Sequence, residues 1–275
     1  MIDIIIDTLI DGIKLLPFLF FTFLIIEYLE HKTSKKGMDM INKNKKYGPI
    51  IGSLLGAIPQ CGLSVMATNF YAMRVISLGT LISIYLSTSD EMVPLLLSNK
   101  TDPIFIIEVL LIKVVVGMIA GFLIDYFIRQ ESSSKIEKFC DEEHCDCNHG
   151  IVHSALIHTI KIFIYIIAVT FILNFFFEYF GKEKITSIFM KNNFFVPFIT
   201  ALIGFIPNCA SSVIITELYL NHAISFASLI SGLLTGSGVA LLVLFKVNNN
   251  SKENIKILSI LYVIGALVGI ILNLF

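Results

Sequence analysis

The chain has 275 residues, 56% of them hydrophobic and only 15% charged, with a mean hydropathy of +0.84. That balance excludes an ordinary soluble domain and makes an integral membrane protein the expectation. With 20 Lys and Arg against 21 Asp and Glu, a formal net charge of -1 leaves no basic surplus for phosphates, so a nucleic-acid partner is excluded too.

The N-terminus carries Asp3, Asp7 and Asp11 instead of a basic stretch, and no small-residue cleavage site follows. The first apolar run, 15–29, is therefore expected to stay in the protein as a helix. It approaches the roughly 20 residues that cross about 30 Å of hydrocarbon, as do 104–128, 160–180 and 255–275. Glu27 and His31 close the first run at the interface. The loop 31–47 follows, with Lys32, Lys35, Lys36, Lys43, Lys45 and Lys46 against Asp39. This excess of lysine assigns it to the cytoplasm and the N-terminus to the outside.

Next come two apolar stretches, 47–57 and 62–73, each too short to span, with Pro59 and Gly62 breaking the backbone between them. Two half-helices meeting at a tip are predicted. If they form a re-entrant hairpin, Arg74 is inside, the turn 99–103 outside, and the linker 129–157 inside with Lys246, Lys252 and Lys256. Each half then crosses three times and the halves are inverted. If they form one broken spanning helix, each half crosses four times, the halves are parallel and the linker is outside. The hairpin fits the lysines better, although it puts Lys182, Lys184 and Lys191 outside.

A second interruption, Ser87-Thr88-Ser89-Asp90-Glu91, divides the apolar segment 76–97. The run 104–128 then carries Glu108 and Lys113, five apart and so not on one helix stripe. Lys113 is near its centre, which predicts that it faces a cavity or a partner acid.

After a polar stretch the pattern restarts. Gly56-Ala57-Ile58-Pro59-Gln60-Cys61-Gly62-Leu63-Ser64-Val65 returns as Gly204-Phe205-Ile206-Pro207-Asn208-Cys209-Ala210-Ser211-Ser212-Val213, an offset of 148 residues. The same offset continues through Thr68/Thr216, Tyr71/Tyr219, Ser77/Ser225, Ser83/Ser231 and Ser89/Ser237. Shared apolar composition would not align Pro, Cys, Ser, Thr and Tyr in one register, so the chain is read as a duplication. The predicted organisation is an all-α integral membrane protein of two inverted repeats, 1–130 and 158–275, around a cytoplasmic linker, 131–157. Each repeat holds a Pro-Cys re-entrant hairpin and a broken helix; in the second half the break is Thr235-Gly236-Ser237-Gly238. Interrupted helices in inverted repeats are the build of secondary transporters, and irregular backbone at membrane depth is tolerated where it lines a cavity or is buried in protein. The four interruptions are therefore expected to converge on a substrate site.

The residues there fall into three chemical sets. Cys61 and Cys209 are soft donors suited to thiophilic metals and trivalent metalloids, or else small residues packing at a helix tip. Gln60, Asn208, Ser64, Ser211, Ser212, Ser87, Thr88, Ser89, Thr235 and Ser237 offer neutral polar groups, and Gly62 lets the backbone approach a ligand; the alternative for Ser64 and Ser212 is capping of helix ends. Asp90 and Glu91 are acids whose counterparts are Gly238 and Val239, so the repeat scaffold does not require charge there. They read as a cation site or a proton-coupling carboxylate, or as solvated acids if the break lies at the interface. Glu217, which replaces Asn69 of the first half, is a second candidate.

Three of the five cysteines lie in the linker, where Cys140, His144, Cys145, Cys147, His149 and His153 form a Cys/His-rich run. Such a cytoplasmic run meets metal more often than it forms disulfides, and its spacing is not that of a zinc finger. A metal-collecting or metal-sensing loop is expected; an acidic linker with incidental thiols is the alternative. No phosphate-binding glycine loop and no adjacent nucleophile and base point to an enzyme.

The run 56–69, the Ser87-Thr88-Ser89-Asp90-Glu91 stretch extending to Pro94, and the echo at 204–213 resemble the bacterial ten-helix heavy-metal exporters, a group containing proteins labelled as arsenic efflux proteins and manganese transporters. The resemblance covers nearly the whole chain. Counting each hairpin arm as a helix gives five segments per half and ten in all, as that family's description implies. The architecture is also similar to that of ion-transporter-type carboxylate and arsenite carriers, in fold only. The resulting expectation is a multi-pass secondary exporter in a bacterial inner membrane, moving a thiophilic metal or metalloid with proton or cation coupling. No cofactor is implied, and assembly into a homo-oligomer is left open. A manganese-like divalent-cation carrier, liganded by Asp90, Glu91, Gln60 and Asn208, and a non-transporting metal sensor are the alternatives.

Overall fold

The structure, a computed structural model, describes residues 13, 16, 17, 19–21, 23, 24, 47–89, 92–128, 151–180, 195–208 and 210–274. Among the described residues every regular element is a helix. In the first half these are α1 (Gly48–Gly56), α2 (Cys61–Ala72), α3 (Leu78–Ser87), α4 (Met92–Ser98) and α5 (Pro103–Phe127). In the second half they are α6 (Ile151–Phe180), α7 (Val196–Gly204), α8 (Ala210–Leu220), α9 (Phe226–Thr235), α10 (Ala240–Val247) and α11 (Ser251–Asn273). Helix α6 takes in the last seven residues of the polar stretch drawn at 131–157, because Ile151, Val152, Ala155 and Leu156 already carry helical apolar spacing.

Local chemistry sets the ends. Pro49, Pro103 and Pro197 sit in the first turns of α1, α5 and α7, where a missing N–H costs nothing. Ser77 caps α3 by accepting from the Thr80 amide at 3.1 Å, and its counterpart Ser225 caps α9 by accepting from Ser228 at 3.3 Å. Arg74 and His222 end the preceding arms with positive φ, 63° and 56°. Both interruptions are present: α3 stops at Ser87 and α9 at Thr235, with Gly238 at φ 54° before α10 begins.

Among the described residues three stretches are long and apolar enough to cross a membrane: Pro103–Phe127, Phe226–Val247 and Ser251–Asn273. The middle one is 83% buried and the outer two 33% and 28%, so it forms the inner wall while α5 and α11 turn Ile104, Leu111, Ile119, Val263 and Leu267 outward.

The two halves are packed alike. Helices α1, α3 and α5 form one block and α7, α9 and α11 another. The offset of 148 extends to Pro49/Pro197, Gly117/Gly265 and Gly121/Gly269. A methyl at Gly121 would stand 2.8 Å from Pro49 and 3.0 Å from Ser83, and one at Gly269 2.9 Å from Pro197 and 2.7 Å from Ser231. The same close backbone approach is therefore built twice from the same residues. The remaining arms are exchanged: α10 packs chiefly on α2, and α4 on α8, while α3 and α9 meet in the middle.

Candidate functional site

The centre of the molecule is lined by polar residues carried on the two interrupted helices. Ser87, Thr88, Ser89, Thr235 and Ser237 are all buried. Ser87 Oγ donates to Ser83 O at 2.8 Å and Thr88 Oγ1 to Ile84 O at 2.7 Å, so both hydroxyls satisfy carbonyls of their own last turn and keep lone pairs for another donor or a ligand. Ser89 Oγ donates across to Ala57 O at 2.8 Å, tying the first interruption to the turn between α1 and α2. In the second half Thr235 Oγ1 donates to Ala201 O at 2.8 Å on α7.

Lys113 joins the two halves. It is 1% exposed, and its ammonium donates to the carbonyl of Thr88 and, at 2.9 Å, to that of Leu233. The interruptions are thus brought together from both repeats. Two of its partners are backbone carbonyls at helix ends, contacts that side-chain patterns alone do not announce.

The flanking turns differ between halves. Gln60 is exposed and makes no side-chain cap for α2, whereas its counterpart Asn208 is buried and its carbonyl accepts from Ser211 Oγ at 2.9 Å. Gly62 and Ser64 are buried, and Ser212 is half-buried. Behind them Thr68 Oγ1 lies 2.6 Å from the hydroxyl of fully buried Tyr85. Asn69, 2% exposed, donates to Val65 O at 3.0 Å, and its Oδ1 is the one buried side-chain oxygen without a partner among the described residues. Glu217, in the matching position, is half-buried, and Glu108 is exposed.

Asp90, Glu91, Cys209, Cys140, His144, Cys145, Cys147 and His149 lie outside the described residues, as does the side chain of Cys61. His153 is exposed in the first turn of α6. Among the described residues no group of three or more His, Cys, Asp or Glu side chains is placed to hold a metal.

A second cluster, at the end of α2, escaped sequence reasoning. Arg74 makes a two-pronged pair with Glu253, Nη1 to Oε1 at 2.6 Å and Nη2 to Oε2 at 2.7 Å, and the Tyr71 hydroxyl donates to the same carboxylate. The Arg74 guanidinium also lies 5.2 Å from the Tyr71 ring centre. Hydrogen bonding to Glu253 holds Arg74 charged well above its ordinary range. The signal that could have found Glu253 is repeat asymmetry, since its counterpart at the 148-residue offset is Phe105. At the matching place Tyr219 stacks on Phe105, ring centres 5.3 Å apart, with Phe226 edge-on.

The profile of a family described as "Putative, 10TM heavy-metal exporter" matches residues 1–173 and 160–275. No curated protein matches the chain, and no solved structure does.

Proposed function

Because the chain belongs to the family of 10TM heavy-metal exporters, a group of multi-span membrane proteins, we propose that it is a secondary active carrier exporting a thiophilic, arsenic-type metal or metalloid from the bacterial cytoplasm. The observation that carries a carrier mechanism is the meeting of two buried interruptions, one from each half, at Lys113. Broken helices that meet at a repeat interface offer a cargo site there, and rocking of the two blocks about it gives alternating access.

The Arg74–Glu253 pair supports inversion of the halves. In the hairpin arrangement both residues are cytoplasmic; with parallel halves Arg74 would be outside and Glu253 inside, and the two could not touch. Tyr219 and Phe105 repeat the argument at the other face. On this reading the blocks α1/α3/α5 and α7/α9/α11, one from each of the halves 1–130 and 158–275, are the moving units, and α1/α2 and α7/α8 are the Pro-Cys hairpins.

Cys61 and Cys209 are the soft contacts for the cargo, Gln60, Asn208 and the hydroxyls of both interruptions its neutral neighbours, and Asp90 or Glu91 the carboxylate that carries a coupling proton or cation. The linker run Cys140, His144, Cys145, Cys147, His149 and His153 collects metal on the cytoplasmic side. Purified protein in liposomes, challenged with arsenite, an organoarsenical, manganese and zinc, tests the assignment. Saturable arsenic flux is expected. Flux of manganese alone would replace the thiophilic cargo with a hard dication, and no flux of any, with function lost on deleting 135–155, would leave a metal sensor.

A further inference from the structure

Among the described residues Lys113 is the one charged side chain that is buried throughout, and the cargo chemistry above does not use it. A lysine in the middle of a span is costly and calls for a reason. Its counterpart in the second half is Leu261, buried and apolar, so the fold does not need an ammonium at that position.

The two carbonyls it binds share one origin. Thr88 follows the last residue of α3, and α9 stops at Thr235, before the residue whose amide would have served Leu233. Both are helix-end carbonyls left without an intrahelical donor by the interruptions, and both sit at the negative end of a helix dipole. Carriers built from discontinuous helices coordinate a coupling cation with such carbonyls and half-helix C-terminal ends. Here a compact monovalent ammonium, delivered on a four-carbon stem from α5, makes those contacts from inside the chain.

We propose that Lys113 is a tethered substitute for a coupling alkali cation: it occupies the place between the C-terminal ends of α3 and α9, so that the carrier works without Na+ and the two halves stay joined in any salt. The inference rests on the carrier reading but not on the identity of the cargo. Removing the ammonium uncovers two helix-end carbonyls and turns the place into a site that a free Na+ can enter.

The experiment is thermal unfolding of the full-length protein in detergent, in choline chloride and with NaCl replacing it at constant total concentration. Wild type and Lys113→Arg should melt at the same temperature in both salts. Lys113→Ala should melt lower in choline, and Na+ should restore it saturably, by roughly 5 °C at a hundred times the half-saturating concentration. Saturable stabilisation of wild type by Na+, or a Lys113→Ala protein indifferent to Na+, would overturn the proposal. If Lys113→Ala is recovered only from preparations made in NaCl, that recovery is itself the expected rescue. If it is recovered from neither, Lys113→Met is read by the same criteria, and arsenite flux by wild type in choline-only liposomes decides alone: undiminished flux supports the substitution and a Na+ requirement refutes it. The melts contain no cargo, so an absent arsenite flux with the expected melting pattern would remove the cargo assignment and leave the role of Lys113 standing.

Discussion

Tyr71 and Tyr219 hold the same position in the two halves and end on opposite kinds of partner: the Tyr71 hydroxyl donates to the carboxylate of Glu253, while the Tyr219 ring lies flat on Phe105. In an inverted arrangement these contacts close opposite faces of one carrier. One contact is ionic and the other aromatic, so in that arrangement the two faces should respond differently to salt and to substitution.

The first prediction concerns topology. A cysteine introduced at Lys100, beside the Phe105 end, should react with an impermeant maleimide in intact cells, whereas one at Lys252 should react only after permeabilisation. Protection of the Lys100 position would support parallel halves.

Breaking the ionic closure should loosen the protein. Arg74→Ala or Glu253→Gln removes the ionic half of the pair and leaves the other charge half-buried without it, a loss of about 1–3 kcal/mol. Thermal unfolding of the two single variants and the Arg74→Ala/Glu253→Gln double variant should show the double costing less than the sum of singles.

Both glycine seams should fail, that at Gly121 the harder, because a methyl there also meets the Gly79 carbonyl at 2.7 Å. Gly121→Ala and Gly269→Ala each force a methyl to within 3.0 Å of a proline and a serine carbon. Overpacking of about 1–3 kcal/mol exceeds the gain of up to about 1 kcal/mol that alanine brings a helix. A fall in melting temperature is expected for both, the larger for Gly121→Ala, and a rise in either would show that the seam gives way.

For the cargo, Cys61→Ser and Cys209→Ser should each reduce arsenite flux, because an alcohol is harder and far less acidic than a thiol. The larger loss, roughly tenfold and equivalent to about 1.4 kcal/mol of binding, is expected at Cys61, where Gly62 lets the backbone approach and Ala210 in the other half does not. Unchanged flux in both would exclude a soft-ligand site.

For coupling, Asp90→Asn or Glu91→Gln should stop transport while leaving the melting temperature in place, since each keeps the shape and deletes the charge. A carboxylate that protonates in the cycle also gives wild-type flux a pH dependence that the amide lacks. Full transport by both variants would make these acids bystanders at the interface.

What the sequence made legible is the set of breaks. Pro59 and the hydroxyl-rich runs after Leu86 and Leu234 are local signals, and the helices stop at or beside them; Gly62, expected to break the backbone, instead lies in the first turn of α2, where an N-terminal turn tolerates glycine. The burial of Lys113 was legible too, from its position at the centre of an apolar run. Its bonds were not, because backbone carbonyls carry no side-chain signature. Glu253 was hidden for another reason: between Lys252 and Lys256 it reads as one more surface charge, and only the contact with Arg74 from the other half gives it a role. The hydroxyls of Ser87 and Thr88 were legible as polar groups, but their bonds to carbonyls three and four residues back become evident only once the helix is known to stop there.

The exchange of arms also bears on biogenesis. Helix α2 is synthesised early, yet its main companion, α10, leaves the ribosome only after the linker and most of the second half. The face of α2 that α10 covers must wait in the bilayer or the insertion machinery until then. A truncated chain ending at the linker would display that face to lipid, and co-expression of the missing half should be what rescues it from degradation.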